Sequence, residues 1–161
     1  MMAASNSDDQ NRTEDDNPSH SAGGLFPLPF EIQLQNAFPV EIIARLFPVT
    51  VSENHVLIPN LNISLDNVQV DEEHIQAQVV LKINVSFPTE PRLFEISFGL
   101  LGIFTYTASY TPEMVRSYLE KGSLSVLLPF ARELLASLCQ RMQVPILLIP
   151  MLPIAPLQSD G

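Results

Sequence analysis

The run Ile75-Gln76-Ala77-Gln78-Val79-Val80-Leu81-Lys82-Ile83-Asn84-Val85-Ser86-Phe87 alternates almost without fault. Ile75, Ala77, Val79, Leu81, Ile83, Val85 and Phe87 fall on one side, and Gln76, Gln78, Lys82, Asn84 and Ser86 on the other. Val80 is the one apolar exception. A period of two matches the pleat of a β-strand, so one face meets a core and the other meets water or a partner. Upstream, Leu61, Ile63 and Leu65 begin a second alternation. It changes phase at Asp66-Asn67, where a turn or bulge is expected, and resumes with Val68 and Val70. The acidic link Asp71-Glu72-Glu73 joins the two as a hairpin. Downstream, Phe94, Ile96, Phe98 and Leu100 form a further strand whose phase slips at Leu100-Leu101 before Ile103. An earlier strand belongs between Phe30 and Val51, interrupted near Pro39 and Pro48. Four strands in succession are most simply joined as an antiparallel meander.

Helical signals follow. Thr111-Pro112-Glu113 combines a hydroxyl N-cap, a proline at the first helical position and an acid on the helix dipole. A short helix from there stops at Gly122. A longer one runs from about Leu124 to Gln143, with an apolar stripe of Leu127, Phe130, Ala131, Leu134, Leu135, Leu138 and Met142 opposite Arg132, Glu133, Gln140 and Arg141. The predicted fold class is therefore α+β: a four-stranded antiparallel sheet followed by a short and a long helix packed on one face.

The 161 residues suit a single domain. Residues 1–24 are polar and acidic and are expected to be disordered. Residues 25–156 form the domain, and 157–161 a short flexible end. Charged residues are only 16% of the chain and hydrophobic ones 46%, against roughly 25% charged in an ordinary soluble domain. So apolar a chain must bury surface against another subunit or keep it for a ligand. The formal charge is −10; the first 24 residues hold five acids and one base, leaving 13 acids and 7 bases elsewhere. Such a body repels phosphate backbones, which argues against nucleic-acid binding. The single cysteine, Cys139, excludes an internal disulfide. The N-terminus lacks an apolar signal core, and the most apolar run, Val144 to Pro156, is too short and too broken by proline to span a bilayer. A cytoplasmic protein without direct membrane insertion is expected.

Gly102-Ile103-Phe104, Leu128-Pro129-Phe130-Ala131-Arg132-Glu133 and Val144-Pro145-Ile146-Leu147-Leu148 resemble motifs of the SecB family of protein-export chaperones. A polar, acidic N-terminus before Phe30-Glu31-Ile32-Gln33 fits the same element order. The resemblance spans roughly Phe30 to Ile154 and is strongest from Gly102 to Leu148. It implies a holdase that works without ATP, binds unfolded preproteins in apolar surface grooves and keeps them competent for translocation. It also implies self-assembly into dimers and dimers of dimers, and the SecA motor as a partner. The acids through which the family contacts SecA are not clearly matched: Pro39, Ile43 and Ser97 stand in their places. The family's last short helix is missing. Some SecB-like chaperones protect an antitoxin, so a dedicated single partner is an alternative. A carrier of a small apolar ligand between sheet and helices is another.

Client contacts are expected from Phe98, Phe104 and Tyr106 on the last strand. The connector after the long helix adds Val144, Ile146, Leu147, Leu148, Met151 and Leu152, its prolines keeping it extended and Met151 supplying an adaptable contact. Leu127, Leu128, Leu135, Leu138 and Met142 are candidates for the oligomer interface. No catalytic residues, metal or cofactor are expected. His20, His55 and His74 lack ligand spacing, Cys139 lies beside an apolar stripe, and no phosphate loop or nucleophile elbow occurs.

Overall fold

The computed structural model describes residues 28–49, 58–66 and 68–149. The elements are β1 (Gln33–Leu46), β2 (Asn60–Leu65), β3 (Gln69–Asp71), β4 (Gln76–Ser86), β5 (Phe94–Thr105) and α1 (Pro112–Arg141). The fold is α+β, with one long helix laid across an antiparallel sheet. The alternation in β4 is reproduced: Ala77, Val79, Leu81, Ile83 and Val85 are completely buried. Ile75 departs from it. Its φ of 51° is rare for a β-branched residue, and it sits in the turn with its side chain 37% exposed.

The expected break between the second and third alternating runs is a bulge. Leu65 faces Leu81 and Gln69 faces Gln78, so four steps along β2–β3 match three along β4. The turn that follows is tied by the Asp71 carboxylate, which accepts from the amides of Glu73 and His74. That carboxylate also meets the His74 ring at 2.8 Å. The ring contact is the main cause holding the Asp71 pKa below its ordinary value, followed by the amide of His74.

Three expectations are corrected. The sheet is not a meander: its order is β1-β5-β4-β2, so the first strand lies beside the last. β2 and β3 together occupy one edge of β4, and the 12-residue β5 offers the edge that a 14-residue strand can match. The phase of β5 does not slip either. Phe94, Ile96, Phe98, Leu100 and Phe104 are all buried, and Gly102 holds the inward position between the last two. A Cβ there would lie 2.7 Å from Leu127 Cδ2 and 2.9 Å from Phe104 Cε2, so α1 approaches the sheet as closely as it does because residue 102 has no side chain.

The two helices, finally, are one. Thr111 caps it as expected, its hydroxyl accepting from the Met114 amide at 3.4 Å, with Pro112 in the first turn. Gly122, however, is a buried interior residue. Its helical cost, about 1 kcal/mol against alanine, is outweighed by the packing of Val115, Leu119, Leu127, Ala131, Leu135 and Cys139, all fully buried. Pro129 also lies inside and removes one i→i−4 bond. Gln143, at φ 56°, ends the helix, and the Val144 amide returns to the Cys139 carbonyl. By length and composition alone α1 could cross a bilayer, but its apolar side is spent on the sheet.

Candidate functional site

α1 packs across β1, β3, β4 and β5, yet part of β1 stays open to solvent. Ile42 faces Phe98 and Leu46 faces Phe94 across the β1–β5 ladder, so both point to the helix side of the sheet. Phe98 and Phe94 are buried there, whereas Ile42 is 45% and Leu46 56% exposed. On the other face, Phe38 is 37% and Val40 50% exposed. The switch of face is made by the bulge between Pro39 and Glu41. A 14-residue edge strand with four large apolar side chains open to solvent is uncommon, since edges of this kind are otherwise blunted or covered.

The connector supplies a second apolar surface. Leu147 and Val144 pack partly against the core and Ile149 is buried, while Ile146 and Leu148 point outward at 58% and 83% exposure. Proline at 145 keeps the strip out of the helix. Arg132 Nε donates to the Ile149 carbonyl at 3.2 Å and ties the strip back along α1.

The expected client residues therefore separate. Ile146 and Leu148 are available, and Val144 and Leu147 are half-buried. Met151 and Leu152 lie outside the described residues, as do the terminal segments 1–24 and 157–161. Phe98, Phe104 and Tyr106 are core residues, at 2%, 0% and 8% exposure. This corrects their expected surface role: the inward phase of β5 carries them under α1. Tyr106 reaches out only through its hydroxyl, which donates to the Asp71 carbonyl at 3.3 Å, and burial is the main cause raising its pKa. The interface candidates fare similarly. Leu127, Leu128 and Leu135 are buried against this chain's own sheet, and Leu138 and Met142 are half-buried on the same core. The outward side of α1 instead shows Met114, Tyr118 and Phe130.

Sequence reasoning missed Phe38, Val40, Ile42 and Leu46. Their period-two spacing was a usable signal, but Pro39 and the adjacent Ile42-Ile43 obscured it. As for chemistry, Cys139 is completely buried, and His74 is engaged with Asp71 on the surface. Among the described residues no group of His, Cys, Asp and Glu is placed to hold a metal.

No family model and no curated protein matches the sequence. Solved structures do match. The Mycobacterium tuberculosis Rv1957 SecB-like chaperone, in complex with a ChAD peptide from the Rv1956 HigA1 antitoxin, is similar with a TM-score of 0.64 at 17% identity, over 76% of this chain and 91% of that one. The fold is SecB-like. A protein of unknown function from Streptococcus agalactiae is also similar, with a TM-score of 0.37 at 12% identity, over 75% of this chain and 98% of that one. In this SecB-like frame the apolar surfaces of β1 and the connector flank a sheet and helix whose own core is filled.

Proposed function

We propose that this protein is a chaperone that binds non-native polypeptide non-covalently and without ATP, through the exposed apolar side chains of β1 and the connector. The observation that carries the reading is the exposure of Phe38 and Val40 on one face, and of Ile42 and Leu46 on the other, of an edge strand in a SecB-like sheet. Apolar anchors spaced along an extended element suit clients that share no sequence but expose aliphatic and aromatic residues. Self-association belongs to the same proposal. It would cover the free edge of β1 and the Met114, Tyr118 and Phe130 side of α1, leaving the faces of β1 for clients. A cytoplasmic site of action, with export-bound precursors as clients, follows from the family resemblance.

A narrower reading has its own support: the structurally similar chaperone is bound to a peptide from an antitoxin. On that reading this protein serves one partner segment. The carrier alternative lacks comparable support, because Phe98, Phe104, Leu127 and Leu135 fill the space between sheet and helix.

The test is suppression of aggregation of chemically denatured citrate synthase and of two unrelated denatured proteins at stoichiometric amounts. Suppression of all three supports the general holdase. Suppression of none, with tight binding of a single peptide, leaves the dedicated form. Absence of both ends the proposal.

A further inference from the structure

Every fourth residue of α1 from Val115 to Cys139 is fully buried. At 3.6 residues per turn such a row advances by about 40° around the helix at each step. On a straight rod Val115 and Cys139 would then point about 120° apart. The two halves of α1 turn different sides inward, whereas a helix lying on one surface keeps a single apolar stripe. Each half makes its own contact.

Between them, within residues 122–129, lies the weakest part of the helix. Gly122 adds backbone freedom. The Ser123 hydroxyl is buried with no hydrogen-bond partner among the described residues, a state that opening to water relieves. Ser125 Oγ donates at 2.7 Å to the Gly122 carbonyl, which the Val126 amide uses in a regular helix; back-bonding of this kind bends helices. Pro129 offers the Ser125 carbonyl no amide, and its ring crowds that oxygen. A glycine–serine pair and a proline are ordinary causes of a kink. Leu127 sits in the same stretch, held in the notch at Gly102, where a Cβ would stand 2.7 Å from Leu127 Cδ2. That contact fixes the position of the stretch on the sheet without fixing the direction of either half.

The second half carries the connector with it. The Val144 amide donates to the Cys139 carbonyl at 3.1 Å, and Arg132 Nε donates to the Ile149 carbonyl at 3.2 Å. Both ends of the connector are thus fastened to residues beyond Pro129. We propose that residues 122–129 are a hinge with Leu127 as its pivot, about which residues 130–149 move as one unit. The motion carries Ile146 and Leu148 relative to the exposed Ile42 and Leu46 of β1. It rests on the chaperone reading, whose two surfaces it couples: a variable gap lets one site take client segments of different bulk.

The experiment is methyl relaxation dispersion with amide hydrogen exchange on the full chain, without client. The methyls of Leu134, Leu138, Ile146 and Leu148 are expected to share one exchange rate on the microsecond-to-millisecond scale, with those of Val115 and Leu119 unaffected. Amides from Ser123 to Leu128 should be less protected than those from Leu135 to Cys139 by about tenfold or more. Ser123→Ala removes the orphaned hydroxyl and should lower the open population about tenfold. Pro129→Ala, at an exposed position, restores one backbone bond and should lower it about fivefold. Wild-type shifts of the β4 and β5 methyls report that each variant is folded, and either one alone suffices. Uniform protection along α1, different rates in the connector and the second half, the same exchange at Val115 and Leu119, or indifference to both variants would overturn the hinge. Such a result leaves the chaperone reading standing, because no client is present; that reading fails separately, in the aggregation assay.

Discussion

Replacing Gly102 with alanine tests the packing on which the fold depends. The added Cβ would stand 2.7 Å from Leu127 Cδ2, roughly 0.7 Å inside the 3.4 Å at which ordinary contact begins, and 2.9 Å from Phe104 Cε2. Both neighbours are fully buried, so neither can swing into solvent. Overpacking of this kind costs about 1–3 kcal/mol. The gain from restricting the unfolded chain, about 0.4–1 kcal/mol, offsets only part of that. A net loss of about 1–2 kcal/mol should appear in a urea titration as a lower midpoint at an unchanged m-value. Gly99→Ala is the control: there the Cβ meets Val40 Cγ2 at 3.0 Å on the open face, where Val40 is half exposed and can move. Leu127→Ala combined with Gly102→Ala should cost less than the two single changes added together, because the first removes the atoms with which the second collides. A Gly102→Ala protein as stable as wild type, or strict additivity with Leu127→Ala, would refute the close approach of α1 to β5.

Four further outcomes are expected. Thr111→Ala should destabilise by about 1 kcal/mol, read by chemical denaturation, because the Met114 amide loses its capping acceptor. Leu135→Ala should cost about 2–5 kcal/mol, since that side chain is fully buried. Leu148→Ala, at 83% exposure, should stay within about 0.5 kcal/mol in the same assay. The folded-state pKa of Asp71 lies below its ordinary 3.8, so its contribution is present above that value and lost as pH falls through the folded value. Stability curves of wild type and Asp71→Asn should therefore converge as pH drops below about 4.

The sequence announced elements better than their arrangement. The alternation of β4, the bulge after Leu65 and the Thr111 cap are local patterns, and each is visible in the residues that make it. Gly122 misled because local helix-breaking chemistry competes with burial, and a helix with Leu119, Leu127 and Leu135 fully buried wins that competition. The apparent slip at Leu100-Leu101 misled for the opposite reason: Gly102 is inward without being apolar, so a hydrophobic pattern cannot register it. Strand order was out of reach because pairing β1 with β5 joins residues from 48 (Leu46 to Phe94) to 72 (Gln33 to Thr105) apart, and nothing local distinguishes β5 from β2 as the partner. The candidate site was half legible. The outward Ile146 and Leu148 lay in a segment already singled out for its composition, but whether Phe98 and Phe104 face a groove or a core depends on where α1 lies.

The most direct test of the central claim is a fluorescence titration of a labelled, permanently unfolded polypeptide with wild type and with Ile42→Thr/Leu46→Thr. Threonine keeps strand propensity at both positions while removing most of the apolar surface. Roughly half of each side chain is open for a client to bury, which amounts to about 1 kcal/mol per residue. The account predicts binding weaker by about thirtyfold, with the thermal midpoint nearly unchanged. Wild-type affinity in the double variant would contradict the placement of the client surface on β1, and no binding by wild type would contradict the chaperone itself.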